Sequence, residues 1–292
     1  MIVDAHAHSF PSVRGWLNGK ETRSLSYGKV KIGSDYERWF PPSFVDSASP
    51  IELLIEYMDW NDISKAIVTQ GPMYGLHNDY LIEEQKRHHD RIRIFGILER
   101  YTNAQSLDAL SNMAQAGMCG LKFELESIIS NDTQFRFDSS EVMSVCEQCQ
   151  ASGLSIMVHP VRGEGTEVAI AKVIDTFPRL KIIIAHLGLA PFPGWESKIH
   201  LAKRENVFLD CSGLPASFDS DEYPYVQAQG FIKWAVDQVG SEKILWGSDY
   251  PALLRWCTYR QTLDIVRSSN VLSDMEKERI LGTNAARVFG FL

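Results

Sequence analysis

Histidines at the ends of predicted strands are the strongest chemical signal in this sequence. His6, His8, His159 and His186 each close an apolar, β-branched run. One such histidine is usually a satisfied core residue, but several at one edge of a sheet need more polar partners than a core offers. Together they favour a metal-binding or catalytic site.

The pair His6 and His8 has the spacing to hold one ion. Residues two apart on a strand point to the same face, with backbone positions about 6.6 Å apart. Both rings can then lean onto one ion, at about 2.1 Å from each nitrogen. Asp4 lies one step deeper on that face, where it either orients a histidine or is a buried, hydrogen-bonded carboxylate.

Further polar residues end the other predicted strands. Lys122 and Glu124 close the fourth strand, Asp210 and Ser212 the seventh, and Asp249 the eighth. A site with imidazole and carboxylate ligands that keeps one position open for water is typical of catalytic rather than structural zinc. A divalent ion in such a site lowers the pKa of its water to about 7, which supplies hydroxide near neutral pH.

Eight short apolar runs must position these residues. Most are continuously apolar rather than alternating, as expected for strands that are covered on both faces of a parallel sheet. The runs are Ile2–His8, Lys65–Gln70, Ile92–Leu98, Cys119–Glu124, Ser155–Pro160, Lys181–Gly188, Val207–Gly213 and Ile244–Pro251.

Helical patterns lie between the runs, and the last of them, near Ser273–Val288, begins with a capping box of Ser273 and Glu276. This alternation predicts an α/β fold, a single-domain (β/α)₈ TIM barrel over 1–292. A doubly wound open sheet is the alternative, but the sequence has no G-x-G-x-x-G after a strand and no P-loop. In a barrel the active site lies at the carboxyl ends of the strands, where the polar residues fall.

The connection 9–49, after the first run, is unusually long and shows no clear periodicity. It contains Trp16, Tyr27, Tyr36, Trp39 and Phe40. Loops of this length in a compact domain are usually functional or disordered, and the aromatic content argues against disorder. We expect a lid or rim insertion over the C-terminal end of the first strand; a packed structural excursion is the alternative.

The composition excludes several kinds of partner. The chain has 292 residues and a formal net charge of -8, with no basic runs. Nucleic acid and anionic membranes are therefore poor partners. No apolar run approaches the roughly 20 residues of a membrane span, and no signal-peptide pattern begins the chain, so we expect a cytoplasmic protein. Five cysteines at irregular spacing are expected to be ordinary thiols.

The motifs, in their order along the chain, resemble the amidohydrolase superfamily, specifically its amidohydrolase-2 branch. That branch includes aminocarboxymuconate-semialdehyde decarboxylase, γ-resorcylate decarboxylase and pyrone-dicarboxylate lactonase. The resemblance covers essentially the whole chain. It is carried by Val3–His8, Gly120–Lys122, Val158–Pro160, Ala185–Gly188, Trp246–Pro251 and Gly282–Arg287.

This resemblance implies one divalent metal ion, with His6, His8, His159 and Asp249 as its ligands. It also implies Asp249 as a catalytic proton acceptor or donor, and His186 as a catalytic group that faces the substrate. Zinc suits imidazole-rich ligation best, and manganese or another divalent ion is the alternative. Because pyrone-dicarboxylate lactonase works without a metal, a metal-free member of the branch is a further alternative.

Four residues are predicted to bind the substrate. Lys122 falls where dinuclear members of the superfamily carry a carboxylated lysine; we expect it to grip a substrate carboxylate, with a salt bridge to Glu124 as the alternative. Arg162 can bind an anionic group bidentately, or is a surface arginine. Ser212 and Tyr250 lie at strand ends, where they can line the pocket.

Taken together, these features predict a metal-dependent hydrolase that acts on a small organic acid, lactone or amide through a metal-activated water. Asp249 would take the proton of the water and pass it to the leaving group, while His186 would help to stabilise the oxyanion. A non-oxidative decarboxylase that uses the same residues is the alternative, and a non-catalytic binding protein is a weaker one. The expected partner is a small-molecule substrate, and the branch allows a homodimer.

Overall fold

Eight parallel strands form one sheet, in which each strand lies beside the next one along the chain. A computed structural model of the chain describes residues 1–99, 104–125, 136–218 and 221–291. The strands are β1 (Val3–His8), β6 (Lys65–Thr69), β7 (Ile92–Gly96), β8 (Gly120–Glu124), β9 (Ser155–His159), β10 (Ile182–Ile184), β11 (Val207–Asp210) and β12 (Ile244–Leu245).

Backbone hydrogen bonds join the last strand to the first and close the barrel. Ala5 N–H donates to Trp246 O at 2.9 Å, and Asp249 N–H donates to His6 O at 2.8 Å. His8 N–H reaches Tyr250 O at 2.7 Å. The predicted (β/α)₈ barrel is therefore confirmed, and the segment that carries Asp249 is tied directly to the segment that carries the two histidines.

Alternate strand residues enter two separate apolar clusters, which explains why the runs are continuously apolar. Ile67, Met157 and Ile183 belong to a small cluster with the C-terminal helix. Their strand neighbours, such as Val68 and Val158, belong to the large cluster shared with the surrounding helices. Because successive side chains of a strand point to opposite faces, a strand with apolar cover inside and outside the barrel needs no polar face.

Helices alternate with these strands along the chain. They are α1 (Ile51–Trp60), α2 (Asn78–Arg87), α3 (Ala104–Gln115), α4 (Ser140–Ala151), α5 (Thr166–Thr176), α6 (Trp195–His200), α7 (Val226–Val239), α8 (Tyr259–Arg267), α9 (Asp274–Glu278) and α10 (Asn284–Phe289). Among the described residues, we find no helix with the length and apolar character to cross a membrane.

The last predicted helix is present and contains a π-helical turn. It begins with the capping box of Ser273 and Glu276, and the turn Arg279–Thr283 joins α9 to α10. The backbone N–H of Trp246 donates to the carbonyl oxygen of Ile280 at 2.9 Å. A helix carbonyl that accepts a bond from the barrel in this way is drawn away from the regular helical pattern, which is where a π turn is expected.

The connection after β1 is not irregular, as the absence of periodicity had suggested, but forms a four-stranded antiparallel sheet. Its strands are β2 (Arg14–Leu17), β3 (Lys20–Ser24), β4 (Lys29–Ile32) and β5 (Asp35–Arg38). We call this sheet the insertion sheet. It is anchored to the loop after β6, because Arg14 N–H donates to Tyr74 O and Trp16 N–H to Pro72 O, each at 2.9 Å.

Candidate active site

An open cavity of about 410 Å³ lies at the carboxyl ends of the barrel strands. Strand ends, the loop after β6 and the insertion sheet all contribute to its wall. Its lining residues are His8, Leu17, Asn18, Trp39, Gly71, Pro72, Met73, Tyr74, Lys122, Glu124, His159, Arg162, His186, Asp249 and Ala252. A lining that combines polar residues with aromatic ones is what a small, partly polar ligand requires.

His6, His8 and Asp249 form a compact group of metal-ligating side chains. Their donor atoms all lie within 4.8 Å of one another. His8 Nε2 is 3.2 Å from Asp249 Oδ1, and His6 Nε2 is 4.0 Å from the same oxygen. Ligands that share one ion at about 2.1 Å have spacings of this size. Three of the four predicted ligands are thus brought together.

Hydrogen bonds from behind fix which nitrogen of each histidine faces this group. His6 Nδ1 is 3.0 Å from Asp210 Oδ2, and His8 Nδ1 is 3.1 Å from Thr69 O. Both partners accept hydrogen bonds, so each Nδ1 carries the proton and each Nε2 keeps its lone pair. An outer carboxylate or carbonyl that orients a histidine in this way is typical of metal sites.

The donor set fits a cation for an electrostatic reason. Burial, followed by the charge of Lys122, lowers the pKa of His8, so its ring is neutral at neutral pH. Although burial opposes it, the neighbouring histidines hold the pKa of Asp249 well below its usual range. A neutral Nε2 lone pair and a carboxylate oxygen therefore face each other at 3.2 Å. Two acceptors at that distance repel unless a cation lies between them.

His159 lies beside this group rather than inside it. Its Nδ1 is 3.1 Å from His186 Nε2 and 3.3 Å from Glu124 Oε2. Among the described residues, the compact group comprises His6, His8 and Asp249 without His159. The centres of the His159 and His186 rings are 4.7 Å apart. The centres of the His186 and His6 rings are 4.9 Å apart. The fourth predicted ligand is therefore a neighbour of the site, linked to it through His186.

Lys122 lies between the group of metal-ligating side chains and the pair of Glu124 and His159. Its Nζ lies 3.0 Å from His6 Nε2 and 2.9 Å from Glu124 Oε1. The side chain is almost fully buried and also lines the cavity. Both alternatives considered for this residue therefore have a basis, since the salt bridge to Glu124 is present and the amine borders the space a substrate would occupy.

These contacts close into a ring of six polar side chains, which we call the polar ring. It runs from Lys122 to Glu124, His159, His186, Ser212 and His6, and back to Lys122. Each contact on this path is between 2.9 and 3.3 Å. Side chains from several strands that hold one another in this way keep the site in one arrangement.

Charge within the polar ring is strongly perturbed. Burial alone would raise the pKa of Glu124, but the charges of His159 and Lys122 lower it to about 2. Burial, reinforced by His159, lowers the pKa of His186 to about 4. At neutral pH the site thus holds an ionised Glu124 and a neutral His186, and such perturbed groups in a cleft are typical of functional sites.

Backbone strain coincides with two of the predicted catalytic residues. His186 has φ 57° and Asp249 has φ 54°, both in the left-handed region that non-glycine residues rarely adopt. His186 is held there because its N–H donates to Asp210 Oδ1 at 3.1 Å. Strain of this kind persists where the surroundings over-determine a position, and it clusters at active sites.

Two predicted substrate-binding residues do not reach the cavity. Ser212 lies behind the histidines, with its Oγ 2.9 Å from His186 Nδ1, and it donates to Asp210. The ring of Tyr250 is fully buried and packs against Tyr57, with ring centres 5.1 Å apart. The structure instead places the serine against His6 and His186, and the tyrosine in the core. The Tyr250 ring also contacts Tyr259 of α8, with ring centres 5.6 Å apart, so it packs on the helix side of the sheet.

Arg162 does line the cavity, as predicted. Its guanidinium lies over the ring of Phe192, 4.4 Å from the ring centre. A cation–π contact of this kind fixes the plane of the guanidinium at the cavity wall.

Several residues of the site were not predicted as functional. Asp210 had been noticed only as a polar strand end, and Glu124 only as a strand end and a possible partner of Lys122. Their contacts with His6 and His159 join different strands. Trp39 and Asn18 line the cavity from the insertion sheet and its turns. Tyr74 adds an aromatic wall, 4.9 Å from the His8 ring. The aromatic content of the insertion was the one sequence signal for this wall.

Comparison with known proteins places this geometry in a family. The sequence model of the amidohydrolase family, described as "Amidohydrolase", matches residues 3–291. The chain therefore belongs to this family and is an enzyme of the amidohydrolase superfamily, a class that contains metal-dependent hydrolases and decarboxylases. Family membership implies a divalent metal, and the group of His6, His8 and Asp249 fits one. Among curated protein sequences, none matches the chain significantly.

Solved structures share the fold at low sequence identity. A probable 2-pyrone-4,6-dicarboxylic acid hydrolase from Acinetobacter baumannii, with citric acid bound, is 15% identical with a TM-score of 0.75, covering 99% of both chains. An amidohydrolase from Burkholderia multivorans with bound zinc is 17% identical with a TM-score of 0.73, also over 99% of both chains. The 5-carboxyvanillate decarboxylase from Sphingomonas paucimobilis is 18% identical with a TM-score of 0.60, over 81% of this chain and 82% of that one.

Proposed function

We propose that this protein is a zinc-dependent hydrolase. Its substrate is a lactone, an ester or an amide of a small organic acid. The observation that carries the proposal is the approach of His8 Nε2 and His6 Nε2 to Asp249 Oδ1, at 3.2 and 4.0 Å. His159 would complete the ligand set from its place beside His186. A divalent ion held there would lower the pKa of a water molecule and polarise the carbonyl of the substrate.

Asp249 is the proposed proton acceptor. Its carboxylate stays ionised at neutral pH because the neighbouring histidines keep its pKa well below its usual range, against the effect of burial. Its side chain is still partly accessible from the cavity, at 17%. A carboxylate in this position can take a proton from the attacking water and return it to the leaving group.

His186 is proposed to accept a hydrogen bond from the attacking water. The ring lines the cavity and stays neutral, because burial lowers its pKa to about 4. Its Nδ1 faces the carbonyl oxygen of Ser212 at 3.2 Å and therefore carries the proton, so Nε2 keeps the lone pair that can accept from water. Its position is fixed by Ser212 and by Asp210, so it can orient the water without rearrangement.

The substrate class follows from the cavity wall. Lys122 and Arg162 bring positive charge, while Trp39 and Tyr74 offer flat apolar faces. A planar carboxylic acid matches this combination, since a carboxylate pairs with the cations and a ring stacks on the aromatics. The similar hydrolase from Acinetobacter baumannii holds citric acid, another small organic acid.

A non-oxidative decarboxylase remains the second candidate, because the same two cations can also bind the carboxylate that is lost. Incubation with a panel of pyrone and aromatic lactones and of aromatic carboxylates separates the two. Ring opening supports the hydrolase, and release of carbon dioxide supports the decarboxylase. In either case Asp249→Asn should lower the rate roughly 10²- to 10⁴-fold, while Glu83→Gln on the exposed face of α2 should not. A cytoplasmic location and a homodimer stay predictions from the sequence.

A further inference from the structure

Lys122 occupies the one direction from which a metal could reach His6. His6 Nδ1 is committed to Asp210 at 3.0 Å, which leaves Nε2 as the nitrogen with a lone pair. Lys122 Nζ lies 3.0 Å from that Nε2. An imidazole nitrogen has a single lone pair, so it accepts the N–H of the lysine or binds an ion, but not both at once.

A second anchor for the lysine is already in place. Glu124 Oε1 lies 2.9 Å from Lys122 Nζ, on the other side of the amine from His6. Both side chains are largely buried, so little water screens this ion pair. The amine can therefore give up His6 and keep a charged partner, because its remaining N–H groups stay on Glu124.

The electrostatic effect of the lysine acts in the same direction. Its Nζ lies 3.0 Å from His6 Nε2, the nitrogen that would ligate the ion. A buried cation this close to a ligating nitrogen disfavours a divalent ion there, since both carry positive charge. Lys122 has almost no exposure to water that would screen it.

We propose that Lys122 is a built-in competitor of the metal, which sets the metal affinity of the site by leaving His6 for Glu124 when the ion binds. This inference rests on the proposed function, because it concerns the same metal site. It assigns Lys122 a positioning role toward the ion, in addition to its place in the wall of the cavity.

The test measures zinc affinity rather than turnover. Competition against a chromophoric chelator gives the Kd of Zn²⁺ for the wild type, Lys122→Met, Lys122→Gln and the control Lys86→Met, whose lysine is exposed on α2. We expect both Lys122 variants to bind zinc tighter by roughly tenfold or more, since a unit charge within a few ångströms of the ion is removed. The control should match the wild type.

Unchanged or weaker zinc binding in a folded Lys122 variant contradicts the inference, and so does the absence of binding by the wild type and both variants. If the Met variant fails to fold, the Gln variant decides, because its amide can bond to Glu124 and His6. A crystal structure of the zinc-loaded wild type gives an independent check. There Lys122 Nζ should have left His6 Nε2 and kept Glu124; an amine still bonded to His6 Nε2 overturns the proposal. A failed lactonase assay with an intact affinity shift would contradict only the proposed reaction.

Discussion

His6 Nδ1 and Asp210 Oδ2 lie 3.0 Å apart, in a fully buried contact between the first and the seventh strand of the barrel. The same carboxylate accepts the backbone N–H of His186 and that of Ser212. One aspartate therefore fixes the tautomer of a proposed metal ligand and the position of a proposed catalytic histidine. It reaches neither the cavity nor the candidate ion, so it acts through other residues.

Removal of this charge should weaken metal binding. Asp210→Asn keeps the shape of the side chain but replaces an acceptor-only carboxylate with an amide, so His6 is free to take the wrong tautomer. Loss of such an outer partner typically costs about 10- to 100-fold in metal affinity, and we expect this loss in the Kd of Zn²⁺. Asp175→Asn, which alters an exposed ion pair with Arg204, is the control. Equal affinity of the two variants would show that Asp210 does not orient His6.

A second buried carboxylate should contribute to stability rather than to metal binding. Asp4 accepts a hydrogen bond from the hydroxyl of Tyr259 at 2.7 Å, and both residues are fully buried. Tyr259→Phe removes the donor and leaves the ring, so the free energy of unfolding should fall by roughly 1–3 kcal/mol. Denaturant unfolding measures this change, with Tyr223→Phe at the surface as the control. If the free energies of unfolding of the two variants differ by only about a few tenths of a kcal/mol, the hydrogen bond adds nothing to stability.

The eight barrel strands could be predicted because the apolar pattern that marks each of them lies within one short run of residues. A strand such as Ile182–Ile184 is apolar at every position, since it is covered inside and outside the barrel. The residues at its end could then be placed on one rim by topology alone. The order of the elements therefore carried most of the information about where the site lies.

The insertion sheet escaped prediction because its strands are short and lie mostly at the surface. Every residue of Asp35–Arg38 is exposed, so this strand has no apolar pattern to detect. The available signal was Asn18-Gly19, a two-residue connection with φ 50° and 74° that joins β2 to β3. Asn-Gly is the pair that tight hairpin turns favour.

The polar ring could not be predicted from sequence either. His6 and Ser212 are 206 positions apart, and the side of the histidine that faces the serine depends on rotamers that only the folded barrel fixes. The placement of Ser212 and Tyr250 went wrong for the same reason. A strand end predicts that a residue is near the rim, but not whether its side chain points into the cavity, behind it or into the core.

A close backbone approach makes the insertion sheet sensitive at one glycine. A Cβ on Gly28 would lie 2.1 Å from the carbonyl oxygen of Phe40, and its φ is 75°. Gly153 has a similar φ of 69° with open space around its Cβ position, which makes it a matched control. Gly153→Ala should cost about 1–2 kcal/mol from the backbone alone, and Gly28→Ala should cost roughly 1–3 kcal/mol more from the clash.

Denaturant unfolding of the two alanine variants tests this difference. Equal losses in the free energy of unfolding would mean that the turn at Gly28 relaxes without cost. Because Trp39, next to Phe40, lines the cavity, the Gly28 variant should also bind substrate more weakly, whereas the Gly153 variant should not.

The pKa of Glu124 predicts how acid affects the metal-free protein. Its folded pKa, about 2, is below the usual value of 4.5, because His159 and Lys122 outweigh the effect of burial. A carboxylate with a depressed pKa stabilises the fold fully above its unfolded pKa, and this stabilisation is lost as the pH falls toward the folded value. The stability gap between wild type and Glu124→Gln should therefore be constant above about pH 5.5 and shrink below pH 4.5.

Unfolding experiments in the presence of a chelator, at a series of pH values, measure this gap. A gap that widens as the medium becomes more acidic would carry the wrong sign. It would mean that the folded protein binds the proton at Glu124 more readily than the unfolded chain does.

His6, His8 and Asp249 are proposed to hold one divalent ion between them. Elemental analysis of the purified protein, loaded with zinc and dialysed, measures this when it is repeated on a variant that combines His6→Ala and His8→Ala. We expect one ion per chain in the wild type and none in the folded double variant. Equal metal content in the two proteins, or a wild type that retains no ion, would contradict it.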